Sequence, residues 1–240
     1  MSELAILETP SIPFPDPENA LESPNGLLAV GGQLTPSRLL EAYKKGIFPW
    51  YDEDQPILWW SPDPRAVLLP HAIITSRNLR KRARQNNYQI KSNTAFDDVI
   101  RKCATSHGEE TWISEEMIEA YQELHRLGFA HSVEIWIENE LAGGLYGVAV
   151  GGVFSGESMF YEQADASKLA FLALHDTLFA AGFTLIDCQI PNPHLSSLGV
   201  QEISRAQYLQ LLNTNIEVID WPTTWSIGLS KTHKASSFHV

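Results

Sequence analysis

The chain reads as an α+β protein, a small leading unit followed by a larger one with a mixed, largely antiparallel sheet flanked by helices. Two observations predict this. Between Ser132 and Phe160 three apolar, alternating stretches follow one another across tight turns, Asn139-Glu140 and Gly151-Gly152, which is hairpin patterning. Around them lie helical stretches with their own start and stop signals. Ser61-Pro62-Asp63-Pro64 breaks any regular element and marks the junction, so we expect domains at 1–62 and 63–228, with a disordered polar tail at 229–240.

In order, residues 1–34 are rich in Pro and Gly, and we expect packing rather than helix or sheet to order them. Thr35-Pro36 starts a helix that stops at Gly46. Three of the seven tryptophans, Trp50, Trp59 and Trp60, then fall within eleven residues; such a cluster is a core or a set of flat platforms for a ring. A strand is expected at Ala66–Leu69, and Ser76 caps a helix with Arg77, Arg80, Lys81 and Arg84 on one face. Tyr88–Lys91 is a strand and Ala95–Ala104 a helix. Ser114 caps a helix carrying Glu115 and Glu116 in its first turn and ending at Gly128. After the hairpins, with Gly156 marking a bulge or close approach, Asp165 caps a long helix ended by Gly182. A last helix is expected near Arg205–Leu212.

Between these two helices lies the stretch Phe183–Gly199. Its apolar start suits a strand buried on both faces; Asp187 and Gln189 follow, two apart and hence on one face, before Pro191-Asn192-Pro193 ends the element. A carboxylate beside an amide at a buried strand end is either a satisfied polar cap or a place for chemistry, and the residues alone leave both open. Cys188, on the other face, reads as core.

Composition narrows the rest. At 240 residues, 44% hydrophobic, the chain can fill a sizeable core, and no apolar run approaches the roughly 18 residues of a membrane span. The start lacks the basic and apolar regions of a secretory signal, and two isolated cysteines, Cys103 and Cys188, read as buried reduced thiols; a cytoplasmic protein is expected. A net charge of −12 argues against a general nucleic-acid binder. Yet five of the 17 basic residues crowd into positions 77–84, enough to hold a polyanion at one place. There is no GxGxxG opening a helix, no phosphate-binding GxxxxGK[ST], no HExxH and no GxSxG, which directs the reading to positioning and hydrogen bonding without metal, cofactor or covalent intermediate.

Four stretches stand out together: GIFPWY (46–51) with LWWSPDPR (58–65), TWISEEM (111–117), GGLYGVAVGGVFSGESMF (143–160) and LIDCQIPNPHLSSLG (185–199). In order and wording they resemble the leucyl/phenylalanyl-tRNA–protein transferase family over about residues 12–212. Leu145 stands where some members carry Met, and the basic residues of 77–84 are distributed slightly differently. The resemblance implies an aminoacyltransferase that moves Leu, Phe or less often Met from aminoacyl-tRNA to the N-terminal Lys or Arg of proteins, marking them for degradation by the N-degron pathway. Separately, we expect a monomer; the resemblance itself implies a small N-terminal domain joined to an acyltransferase domain of the N-acetyltransferase type, without metal or nucleotide cofactor. By position it puts Asp187 and Gln189 on the catalytic pair, the amide carbonyl receiving the amine and Asp187 orienting the amide, with Glu157 beside the acceptor. It lines the aminoacyl pocket with Leu145, Phe154, Phe171, Leu174, Leu178 and Ile186. It sandwiches the terminal adenosine between Trp50 and Trp112, and grips tRNA backbone with Arg77, Arg80, Lys81 and Arg84.

Overall fold

The computed structural model describes residues 4–9, 12–85, 87–106, 111–215 and 219–228. The tail expected at 229–240 lies outside them. Two sheets organise the chain. The leading sheet has the order β1-β2-β4-β3, from β1 (Ala5–Leu7), β2 (Leu27–Gly31), β3 (Phe48–Pro49) and β4 (Leu58–Trp60). This corrects the expectation for residues 1–34. The short apolar run Leu27–Gly31 pairs in parallel with β1 and antiparallel with β4, so even a Pro- and Gly-rich segment supplies two strands. Between β2 and β3, α1 (Pro36–Lys44) starts as expected, with the Thr35 hydroxyl accepting from the Arg38 N–H and Pro36 in the first turn.

The second sheet carries seven strands. In chain order the elements are β5 (Arg65–Leu68), α2 (Arg77–Ala83), β6 (Gln89–Ser92), α3 (Phe96–Ser106), α4 (Glu115–Arg126), β7 (Ala130–Ile137), β8 (Glu140–Val150), β9 (Val153–Tyr161), α5 (Ala166–Ala180), β10 (Leu185–Gln189), α6 (Pro193–Ser197), β11 (Gln201–Ile203) and α7 (Arg205–Thr214). The strand order is β11-β5-β10-β9-β8-β7-β6, antiparallel throughout except where β9 and β10 run parallel across the α5 crossover. That is the mixed sheet the patterning predicts.

Three local details differ from expectation. Asp165 sits at the start of α5 in a left-handed conformation (φ 65°), and its carboxylate binds Lys168 Nζ at 2.7 Å instead of a backbone N–H. Pro191-Asn192-Pro193 does end β10, but Asn192 Oδ1 then accepts the Leu195 N–H (2.9 Å) and Pro193 occupies the first turn of α6, so the break is itself a helix start. β11 is not among the expected elements; its three residues add an edge to β5.

Burial explains the layering. On one face of the large sheet, α5 and α2 cover Leu68, Val133, Ile135, Leu145, Phe154 and Ile186. On the other, α3 and α4 join α1 and the leading sheet around Tyr146, Val148 and Phe160 in one continuous core. The leading unit therefore shares its core with the larger one. Among the described residues no helix is long and apolar enough to cross a membrane.

Candidate active site

The site forms where two neighbouring strands part. β9 and β10 pair over three residues, ending at Ser155 opposite Asp187. Each strand then bulges. In the β8–β9 register Tyr146 faces Ser158 and the next residue, Gly147, faces Gly156, so Glu157 is the extra residue. A β-carbon on Gly147 would come within 2.2 Å of the Ser155 carbonyl, which is why the bulge faces a glycine. On β10 the register skips Cys188, and Gln189 takes a left-handed conformation (φ 57°). The two bulges bring Glu157 and Gln189 together across the gap, Gln189 Nε2 donating to Glu157 Oε1 at 2.8 Å. An N–H must face the carboxylate, so the amide carbonyl oxygen is the end left free for a ligand.

A cavity of about 560 Å³ opens there. Residues from both faces of the sheet line it: Tyr146, Glu157 and Trp112 on one, Leu145, Phe171, Leu174 and Ile186 on the other. Trp50, exposed, and Trp112, half-buried, both border it. Of the expected pocket residues, Phe154 and Leu178 do not reach the cavity. Both are fully buried: Phe154 packs behind the wall against Trp221, and Leu178 lies a helical turn beyond Leu174 in the core. Cys188 is buried, as expected of core, yet it too borders the cavity.

Asp187 is also absent from the cavity wall. Its side chain is fully buried and receives five hydrogen bonds. Arg65 Nε and Nη2 donate at 2.8 and 2.7 Å, Tyr208 Oη at 3.0 Å, Ser155 Oγ at 3.3 Å and the Gln189 backbone N–H at 3.0 Å. Asp187 thus holds Gln189 by its backbone, not by its amide. Arg65, to which sequence reasoning gave no role, completes this centre: fully buried, it also donates to the Gly46 carbonyl at 3.2 Å and lies against the rings of Phe48 and Tyr208. The signal was present in LWWSPDPR, whose last residue is a cation opening a fully buried strand.

Glu157 has a different shell. Its Oε2 accepts from Tyr121 Oη at 3.0 Å, and Tyr121 Oη is itself bonded to Tyr43 Oη. Burial pushes its carboxyl up to about 7, helped by the negative charge of Asp187 and opposed by the hydrogen bonds from Tyr43, Tyr121 and Gln189. Part of its side chain stays open to the cavity. Tyr146, edge-on to Tyr121, closes the cluster, its buried hydroxyl without a hydrogen-bond partner among the described residues.

The basic helix stands apart. Arg77, Lys81 and Arg84 are exposed and Arg80 is half-buried; none of the four joins an ion pair among the described residues. The loop ahead of α2 is tied to the cavity's flank, for the Ile74 N–H donates to the Leu198 carbonyl just after α6.

Comparison with known proteins agrees with this architecture. The family described as leucyl/phenylalanyl-tRNA protein transferase matches residues 67–213, and that family's N-terminal domain matches residues 32–63. A leucyl/phenylalanyl-tRNA–protein transferase of Idiomarina loihiensis is 56% identical over 209 residues, 86% of this chain and 89% of that protein. The namesake from Hahella chejuensis is 48% identical over 221 residues (91% and 94%), and that of Shigella dysenteriae 52% over 210 (88% and 90%). Among solved structures, a GCN5-related N-acetyltransferase from Kribbella flavida overlaps 70% of this chain and 61% of its own at 12% identity. Its TM-score is only 0.38, too loose a likeness to bear on the site. With both segments matched in order and relatives near half identity along most of its length, the chain belongs to the leucyl/phenylalanyl-tRNA protein transferase family.

Proposed function

We propose that this chain transfers Leu or Phe, and less readily Met, from its tRNA to the N-terminal Lys or Arg of a protein, marking that protein for degradation. The reaction is aminolysis of an activated ester, which needs an apolar seat for the aminoacyl side chain, a platform for the tRNA end and polar groups at the junction. The observation that carries the reading is the cavity itself. Its apolar depth is walled by Leu145, Phe171, Leu174 and Ile186, two tryptophans border it, and the Gln189–Glu157 pair stands between.

In this reading Trp50 and Trp112 stack the terminal adenosine, each contact worth about 1–3 kcal/mol. Gln189 is the catalytic residue, its carbonyl accepting an N–H of the incoming amine. Asp187 is a positioning residue that fixes Gln189 through the backbone. Arg77, Arg80, Lys81 and Arg84 hold tRNA backbone independently of sequence. The enzyme works as a monomer in the cytoplasm, where charged tRNA is found.

The direct test offers Phe-tRNA and an Arg-starting peptide to the purified chain. Peptide-bonded Phe is expected; absence of transfer from Phe-, Leu- and Met-tRNA alike would overturn the reading. Asp187→Asn should cut turnover about 10²-fold or more while the Kd for aminoacyl-tRNA and the peptide KM hold, since orientation is lost and binding surface is not. A change in KM alone would deny it the positioning role. Neutralising Arg77, Arg80 and Arg84 together should weaken tRNA binding and reduce its log–log salt slope by up to about 3. An unaltered slope would move the tRNA surface elsewhere.

A further inference from the structure

An ester aminolysis leaves one question that the pair at 187 and 189 does not answer: where the proton of the attacking amine goes. Gln189 is an amide and is not a base at neutral pH. Asp187 is sealed behind the cavity wall with five donors on its two oxygens. Of the side chains lining the cavity, five titrate: Tyr146, Glu157, Tyr161, Cys188 and His194. Burial drives the Tyr146 phenol and the Cys188 thiol far up, where neither trades protons near neutrality. Tyr161 lies out at the mouth, mostly exposed. His194 is on α6 and makes no hydrogen bond to the pair among the described residues. Glu157 stands one hydrogen bond, 2.8 Å, from the amide whose carbonyl would hold the amine.

We propose, resting on the transfer reading above, that Glu157 is the proton shuttle of the reaction. The amine nitrogen attacks the ester carbonyl carbon, forming the C–N bond while the carbonyl electron pair moves to oxygen. One N–H proton passes to the Glu157 carboxylate. As the intermediate collapses and the C–O bond to the tRNA ribose breaks, the Glu157 carboxyl gives that proton to the departing ribose oxygen. Ester and amine become amide and alcohol, and Glu157 ends as it began, a carboxylate.

The bulge on β9 has a purpose in this scheme: a regular strand carries Glu157 on with the pleat, whereas the extra residue turns it to meet Gln189. The groups that face it are few and mostly neutral. They are Tyr43 from α1, Tyr121 from α4, Tyr146 from β8, and the Arg65–Asp187 pair from β5 and β10 beneath. The phenols lead inward to Tyr43, which is buried, and offer no exit to solvent. A proton accepted here therefore leaves only on the cavity side, where the reacting atoms lie. A group midway in its titration near pH 7 is suited to both halves of the task.

The experiment follows turnover of saturating Phe-tRNA with a saturating Arg-starting peptide across pH, for wild type and Glu157→Gln. Wild-type kcat should rise with pH through about 7 and then level off; the variant should lose about 10²-fold or more, lose the rising limb, and keep its peptide KM within about threefold. A variant that instead raises the peptide KM at unchanged kcat would assign Glu157 to holding the acceptor's cation and overturn the shuttle. So would a limb that persists in Glu157→Gln and vanishes in His194→Gln. Should Glu157→Gln fail to bind Phe-tRNA, Tyr121→Phe decides, because losing a hydrogen bond to the carboxylate must move the limb to higher pH; an unmoved limb refutes the role. If wild type transfers nothing, the transfer reading fails first, which is a different result.

Discussion

Two carboxylates lie side by side in this fold, and their surroundings could hardly differ more. Asp187 is fully buried and answered by a guanidinium that grips both its oxygens, with three further donors filling the remaining directions. Glu157, one strand over, is surrounded by an amide and a chain of phenols, and no cation contacts it among the described residues. The first arrangement anchors; the second leaves a proton affinity free to be used. Polar groups at one strand end thus divide into a part that builds the site and a part that faces the substrate.

The comparison can be broken most forcefully at Asp187. Asp187→Ala strands a buried guanidinium and should destabilise the chain by about 3–5 kcal/mol in urea unfolding. Replacing the pair together, Arg65→Met with Asp187→Leu, should recover most of that loss. Recovery will be incomplete, because Tyr208 Oη, Ser155 Oγ and the Gln189 N–H then lack their acceptor. A double variant no better than the single would mean the ion pair is not the anchor.

Glu157 should behave oppositely. Its pKa is higher folded than unfolded, so the folded chain holds the proton longer, and stability falls as pH rises from about 4.5 to about 7 before levelling. Glu157→Gln removes that penalty and should make the protein more stable than wild type at pH 8, on the order of 2 kcal/mol, with the advantage shrinking toward pH 5. A variant less stable at both pH values would place Glu157 among the anchors. A change on the Asp187 side sharpens the division: Tyr208→Phe, deleting one donor to Asp187, should cost about 1.5–3 kcal/mol yet leave the pH midpoint of turnover where it is.

Much of this was readable in the chain. Ser76 and Ser114 cap the helices their positions imply, and the hairpin turn at 151–152 forms where it is read; the one read at 139–140 closes a residue earlier, at Glu138-Asn139, both left-handed, with Glu140 already opening β8. Periodicity and caps are local, so a single sequence carries them. What escaped is what depends on distance. Arg65 and Asp187 are 122 residues apart, and nothing near either names the other. Counting alternate residues placed Asp187 and Gln189 on one face, but the skipped Cys188 and the left-handed Gln189 mean that the bulge, not the pleat, sets the amide's direction. Phe154 and Leu178 have the right chemistry for a pocket and lack only the right depth, which periodicity does not report.

Arg65 also reaches the Gly46 carbonyl, while the ring of Tyr208 fills the space where any larger residue at 46 would put its β-carbon, 2.7 Å away. Gly46 is left-handed there (φ 73°), closing α1. Four distant stretches meet at this point, and every strand of both sheets precedes Tyr208 in the chain. During synthesis the last of the four to emerge is therefore the ring that seals the ion pair behind the cavity. A chain stopped short of it would contain the residues of every strand but not the ring that covers the ion pair. In this protein the site is complete only once α7, which follows every strand, has been made.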